Sequence, residues 1–125
     1  MYTIGEVESI AGINASTLRF YEKEGILFNI ERNEGGRRIY TEEQVTWLKF
    51  VLALKNTGMT IEDIKSYLNM IVDGEEKLVE RREFLARHKE KVEKQIAETH
   101  SYLERITQKI SFYDAKYLKK NYLDL

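Results

Sequence analysis

The sequence predicts a mainly α chain, in which a small winged helix-turn-helix unit is followed by a long coiled-coil helix. Two short helices with glycine stops fit within the first 25 residues. A β-prone segment with a glycine tip and several arginines separates them from two more capped helices. From Glu75 a stretch without glycine or proline runs to about Lys120, with apolar residues on a seven-residue period. The whole chain has 0 Pro, so punctuation falls to glycine and to capping side chains.

Thr3-Ile4-Gly5-Glu6 is a capping-box pattern. Ile4, Val7 and Ile10 follow on one face, and Gly12 offers the stop. Asn14 caps a second helix from Ala15 to Glu24, closed by Gly25, with Leu18 and Tyr21 spaced to face the first. Two short helices joined by about three residues, one of them glycine, have helix-turn-helix spacing. Between Gly25 and Thr41 the helical period disappears. The runs 26–30 and 38–40 are expected to pair as strands around Asn33-Glu34-Gly35-Gly36, a hairpin with Arg32, Arg37 and Arg38 at its tip. Thr41-Glu42-Glu43-Gln44 is a second capping box. The helix after it is apolar nearly all round, from Val45 through Trp47 and Phe50 to Leu54, and is expected to be buried on several sides. Thr60 starts a fourth helix with Ile61, Ile64, Leu68 and Ile71 facing inward, ending near Asp73-Gly74.

Beyond it, Leu78, Leu85, Val92, Thr99, Ile106 and Tyr113 fall on heptad d positions, and Ile96, Leu103, Ile110 and Tyr117 on a positions. Arg82 and Lys89 hold the first two a positions, so the seam tightens in its second half. At 1.5 Å per residue such a helix is roughly 60 to 70 Å long. Alone it cannot bury a stripe, and it needs a partner, most simply the same helix of a second copy. The expected organisation is a winged helix-turn-helix over 1–72, a dimerisation helix over 73–120 and a tail over 121–125. The dimer interface is expected at Leu78, Leu85, Val92, Ile96, Leu103, Ile106, Ile110 and Tyr113.

Composition excludes several functions. With 0 Cys there is no thiol nucleophile, thiolate ligand or disulfide, and His88 and His100 are too few for a dedicated transition-metal site. Both histidines are expected as exposed coil residues. No Ser/His/Asp arrangement or metal motif accompanies the abundant carboxylates, so no enzyme activity and no cofactor are expected. The start of the chain lacks the pattern of a signal peptide, and no apolar run reaches membrane-span length, which predicts a cytoplasmic protein. The formal net charge is -1. Residues 1 to 60 hold 7 Lys and Arg against 8 Asp and Glu, and the remainder holds 13 of each. Bulk charge therefore gives no support for nucleic acid, and a DNA-binding reading rests on where particular arginines sit.

Their placement supports that reading. A short helix pair, a basic wing and a dimerising coil suit a two-fold DNA binder. In such a binder the second helix enters the major groove, the wing presses on phosphates and the coil sets the half-site separation. Ser16, Thr17, Arg19, Tyr21 and Lys23 are suited to phosphate and base-edge contacts, and Arg37 and Arg38 to phosphates. Arg19 has a competing reading as an ion-pair partner of Glu22 or Glu24. Of Phe20 and Tyr21, Phe20 is expected to be the ring that packs inward. Trp47, Phe50 and Tyr67 are expected in the core rather than lining an effector pocket.

Three runs carry a family resemblance. Thr3-Ile4-Gly5-Glu6-Val7, then Ser16-Thr17-Leu18-Arg19-Phe20-Tyr21-Glu22-Lys23-Glu24-Gly25-Ile26-Leu27, then Arg32-Asn33-Glu34-Gly35-Gly36-Arg37-Arg38-Ile39-Tyr40 resemble the mercury-resistance-regulator (MerR) family of bacterial transcription regulators. The resemblance covers essentially the whole chain. It implies Arg19 and Tyr21 on the recognition helix, Arg38 and Tyr40 anchoring the wing to phosphates, and an antiparallel dimer coil. It also implies promoter DNA and RNA polymerase as partners, with the DNA distorted to realign promoter elements.

Departures from the family pattern narrow the signal. Metal-sensing members use cysteines in and after the coil, and aldehyde-responsive members place one on the third helix, where Ala53 stands here. Both kinds of sensing are excluded by the absence of cysteine. A separate effector domain is not expected either, since the sequence stops at Leu125. An unidentified small-molecule effector stays open. The reading from a different class is a helical adaptor that has lost DNA binding and holds a protein partner.

Overall fold

The computed structural model describes residues 1–119; the expected tail, 121–125, lies outside the described residues. The elements are β1 (Tyr2–Thr3), α1 (Ile4–Ala11), α2 (Ala15–Lys23), β2 (Glu31–Arg32), β3 (Arg38–Tyr40), α3 (Glu42–Asn56), α4 (Ile61–Val72), a 3-10 turn (Glu75–Lys77) and α5 (Leu78–Lys119).

Capping sets each of the first four helix starts. Thr3 and Glu6 form a complete capping box on α1, and Thr41 and Gln44 form another on α3. Asn14 and Thr60 accept from the third backbone N–H of α2 and α4. Each cap satisfies a donor that the helix itself leaves open, which contributes about 1 kcal/mol. Gly12, at a φ of 69°, closes α1 in the left-handed conformation that glycine adopts without steric cost.

The core cluster joins Val7 of α1, Leu18 and Tyr21 of α2, Tyr40 of β3, Val45, Leu48, Val51 and Leu54 of α3, and Ile64 of α4. Two expected faces shift. Ile10 is exposed, and Ala11, one turn beyond Val7, takes the inner position on α1. On α2 the order of the rings reverses: Tyr21 is 2% exposed and Phe20 44%. Leu18 and Tyr21 share the i, i+3 stripe that faces α1, which turns Phe20 outward.

The strand expected over 26–30 is absent. Ile26 and Leu27 instead fold back at the end of α2, both donating N–H to the Tyr21 carbonyl at 2.9 and 3.1 Å, and both are buried. Asn29 has a φ of 58°, which an extended strand does not tolerate. Pairing begins only at Glu31. The sheet has three antiparallel strands in the order β1-β3-β2, with Tyr2 opposite Tyr40 and Arg32 opposite Arg38. The third strand, β1, is two residues long and carries no period for the sequence to display.

On α3, burial is confined to the row Val45, Leu48, Val51 and Leu54, so the helix is not enclosed all round. Trp47 is half-buried and donates its indole N–H to the Ile26 carbonyl at 2.8 Å, while Phe50 is exposed. Trp47, Phe50, Tyr67 and Phe84 form an aromatic group with centroid separations of 6.0 to 6.3 Å. On α4, Ile64 and Leu68 are buried and Ile61 and Ile71 half-buried.

Met1–Leu85 form one compact unit, and the chain from Ala86 forms a second. The sequence texture changes at Glu75, and the dimerisation segment is expected from residue 73, but Phe84 and Leu85 pack against the core of the first unit. Within the second unit Ile96, Leu103, Ile106, Ile110 and Tyr113 are exposed and Val92 is half-buried. Among the described residues, no helix is long and apolar enough to cross a membrane.

Candidate nucleic-acid interface

The wing tip is built by one side chain. Asn33 Oδ1 accepts from the backbone N–H of Gly35 and Arg37 at 3.0 and 3.1 Å, and the Asn33 carbonyl accepts from Gly36. Gly36, at a φ of 77°, supplies the left-handed residue the turn requires. Arg32 reaches across the tip and donates Nη1–H to the Gly36 carbonyl at 2.7 Å. Arginines on both sides of a two-residue ladder are thus held to one face.

That face and α2 enclose a concavity of about 500 Å³, lined by Thr3, Ile4, Gly5, Arg19, Arg32, Asn33, Gly36, Arg37 and Arg38. Four guanidinium groups around one hollow repel each other unless an anion lies among them. Glu22 meets part of this need. Its Oε2 accepts from Arg38 Nε at 2.7 Å, tying α2 to β3. Glu24 pairs with Lys65 at 3.2 Å. Among the described residues Arg19 makes an ion pair with neither glutamate, so the competing reading of Arg19 does not hold. Arg37 is likewise exposed and forms no side-chain ion pair among the described residues.

The other expected DNA-contacting residues divide. Ser16, Arg19 and Lys23 are exposed on one stripe of α2, together with Phe20. Thr17 is half-buried, and its hydroxyl donates to Asn14 Oδ1 at 3.0 Å, which commits it to the cap. Tyr21 and Tyr40 do not line the concavity: both are buried in the core at 2% and 1% exposure. On α2 the helix period that exposes Arg19 turns Tyr21 inward, whereas Tyr40 shares a strand face with the half-buried Arg38 and packs into the core cluster. Burial raises both phenol pKa values. For Tyr40, Glu22 adds to the rise, and Arg38, Arg19 and Arg32 oppose it.

Sequence reasoning placed Arg32 at the tip without making it a site residue, and missed Thr3, Asn33 and Glu22. The Asn-x-Gly-Gly turn was the available signal for Asn33. His100 pairs with Glu104 on α5, and among the described residues no group of histidines and carboxylates could hold a metal ion. A second, more apolar hollow of about 320 Å³ lies beside Trp47, between Phe28, Leu68 and Ile71, and includes neither Phe50 nor Tyr67.

Comparison with known proteins gives this geometry its context. Residues 2–71 match the MerR HTH family regulatory protein profile, and residues 45–109 match the profile described as MerR, DNA binding. An uncharacterised HTH-type transcriptional regulator of Haemophilus influenzae is 39% identical over 112 residues, covering 90% of this chain and 83% of that protein. The regulator ZntR of Escherichia coli is 32% identical over 112 residues, covering 89% and 79%. Among solved structures, HiNmlR, a MerR family regulator lacking the sensor domain and bound to promoter DNA, superposes with a TM-score of 0.89 at 38% identity. That superposition covers 98% of this chain and 96% of HiNmlR. Matched along both units and in fold, the chain belongs to the MerR family of helix-turn-helix transcriptional regulators.

Proposed function

We propose that this protein is a homodimeric, sequence-specific DNA-binding transcription regulator that distorts promoter DNA to control initiation. The observation that carries the reading is the arginine-walled concavity beside the exposed stripe of α2. In this reading α2 enters the major groove with Ser16, Arg19 and Lys23, while Arg32, Arg37 and Arg38 hold phosphates of the flanking backbone. Residues 1–72 act as the DNA-binding domain, and the dimerisation segment expected over 73–120 acts through α5, which is helical from Leu78 after the 3-10 turn. Tyr21 and Tyr40 support the face from beneath.

The exposed seam of α5, with Leu78, Ile96, Leu103, Ile106, Ile110 and Tyr113, packs against the same seam of a second copy in antiparallel sense, and Val92 joins its edge. Leu85 is assigned to the core of its own chain. The site of action is the cytoplasm, at a promoter occupied by RNA polymerase. An effector, if the protein takes one, is not a thiol-reactive or thiolate-bound species, since the chain has 0 Cys.

The test is a gel shift on the DNA upstream of the protein's own gene across a salt series. A discrete complex whose affinity falls steeply with salt supports the reading, because each neutralised phosphate contributes about 0.9 to the logarithmic slope. Absence of a specific complex at low ionic strength would instead favour an adaptor.

A further inference from the structure

The carboxylate of Glu22 is an anomaly on a surface that must approach phosphates. It stands on α2 three residues after Arg19, and its Oε2 lies 2.7 Å from Arg38 Nε, with the two side chains 30% and 23% exposed. The contact uses one of the five guanidinium donors of Arg38 and leaves the four on Nη1 and Nη2 free to meet an anion. It also joins two elements that a DNA duplex would have to touch together, the recognition helix and the wing strand. The remaining arginines of the hollow are held differently: Arg32 bonds a neutral carbonyl, and Arg19 and Arg37 pair with no carboxylate among the described residues.

We infer that Glu22 sets DNA specificity, by cancelling one positive charge of the face while fixing Arg38 in the single orientation that reaches its phosphate. This rests on the DNA-binding reading above. The cancelled charge lowers attraction to any duplex, since non-specific binding follows the number of phosphates neutralised. The fixed guanidinium keeps affinity for a duplex whose backbone arrives at the right place and angle, since an oriented charged hydrogen bond loses little freedom on binding. Affinity for random DNA falls more than affinity for the operator, and the ratio between them rises.

The experiment compares two 30-base-pair duplexes, one of random sequence and one recovered by in-vitro selection with the unaltered protein. Glu22→Gln is expected to steepen the salt slope on random DNA by about 0.9 and to tighten that binding roughly five- to tenfold at 0.1 M salt. The selected duplex gains less, so the ratio of the two affinities falls at least about threefold. Glu22→Asp retains the charge and shortens the reach; it is expected to leave the slope unchanged and still lower the ratio. Combining Glu22→Gln with Arg38→Gln is expected to restore the original slope, which a general loss of folding does not do. An unchanged slope and ratio in Glu22→Gln overturn the proposal, and an unchanged ratio in Glu22→Asp overturns its orienting half. If the unaltered protein does not distinguish the two duplexes, the DNA-binding reading fails instead, before any variant is made.

Discussion

Leu18, Ile26, Val51 and Ile64 in the first unit are each 0% exposed, whereas Ile96, Leu103, Ile106 and Ile110 on α5 are 56% to 63% exposed. The side chains are chemically alike, and burial of each is worth about 1.5–3 kcal/mol. The difference lies in what surrounds them. In residues 1–85, four helices and a small sheet bring apolar faces together within one chain. A lone helix from Ala86 has only its own stripe, and a helix cannot fold over its own face. An aliphatic row of this length left open within its own unit is the surface that the proposed dimer would cover.

The strongest way to break this comparison is to place a charge in the open seam. Leu103→Lys is expected to abolish the dimer and yield monomer in sedimentation, while the near-ultraviolet signal of Trp47 in the first unit persists. A mutant that stays dimeric would move the seam elsewhere. In the closed region the corresponding change is Leu18→Ala, expected to destabilise the first unit by about 2–5 kcal/mol in urea unfolding through lost contacts and a cavity. Arg37→Ala touches neither the core nor the seam. It is expected to flatten the salt slope of DNA binding by about one unit with no change in unfolding midpoint or oligomeric state. An unaltered slope would remove Arg37 from the phosphate contacts.

Smaller effects separate the parts of the first unit. Thr41→Ala removes the hydroxyl that caps α3 and is expected to cost about 1 kcal/mol, read from the unfolding midpoint. The pH response of Tyr40 follows from its raised pKa. A phenol whose folded pKa is raised keeps its full contribution below the unfolded value of about 10 and loses it as pH rises through the folded value, because the unfolded chain releases its proton first. Denaturation midpoints of the unaltered protein and Tyr40→Phe should therefore keep a constant offset up to about pH 10. Above it the unaltered protein loses stability faster, and a constant offset up to pH 11 would show that burial does not shift this group.

Much of the fold was legible because its signals are local. Thr3, Asn14, Thr41 and Thr60 announce helix starts through hydrogen bonds that span three residues, and Gly12 and Gly25 announce the ends. The wing strand was placed too early because Ile26 and Leu27 look like a strand by composition. Their burial comes from backbone hydrogen bonds to Tyr21 that propensity does not encode. The site was legible where charge and turn chemistry coincide, at Arg37 and Arg38 beside Gly35 and Gly36. Tyr21 and Tyr40 were assigned outward because a tyrosine suits both a core and a phosphate, and residue type alone cannot choose between them.

The sequence by itself determined the starts of the first four helices, the glycine-tipped basic wing, the heptad stripe and, through 0 Cys, the exclusion of thiol-based sensing. Each depends on residue types a few positions apart, within reach of helix and turn geometry. Only the tertiary structure decided that Phe20 faces out and Tyr21 in, that Tyr2 and Thr3 complete the sheet, and that Glu22 holds Arg38 across 16 residues of chain. Those outcomes depend on which surfaces meet when the elements pack, and on the balance of burial and charge among residues that the sequence keeps far apart.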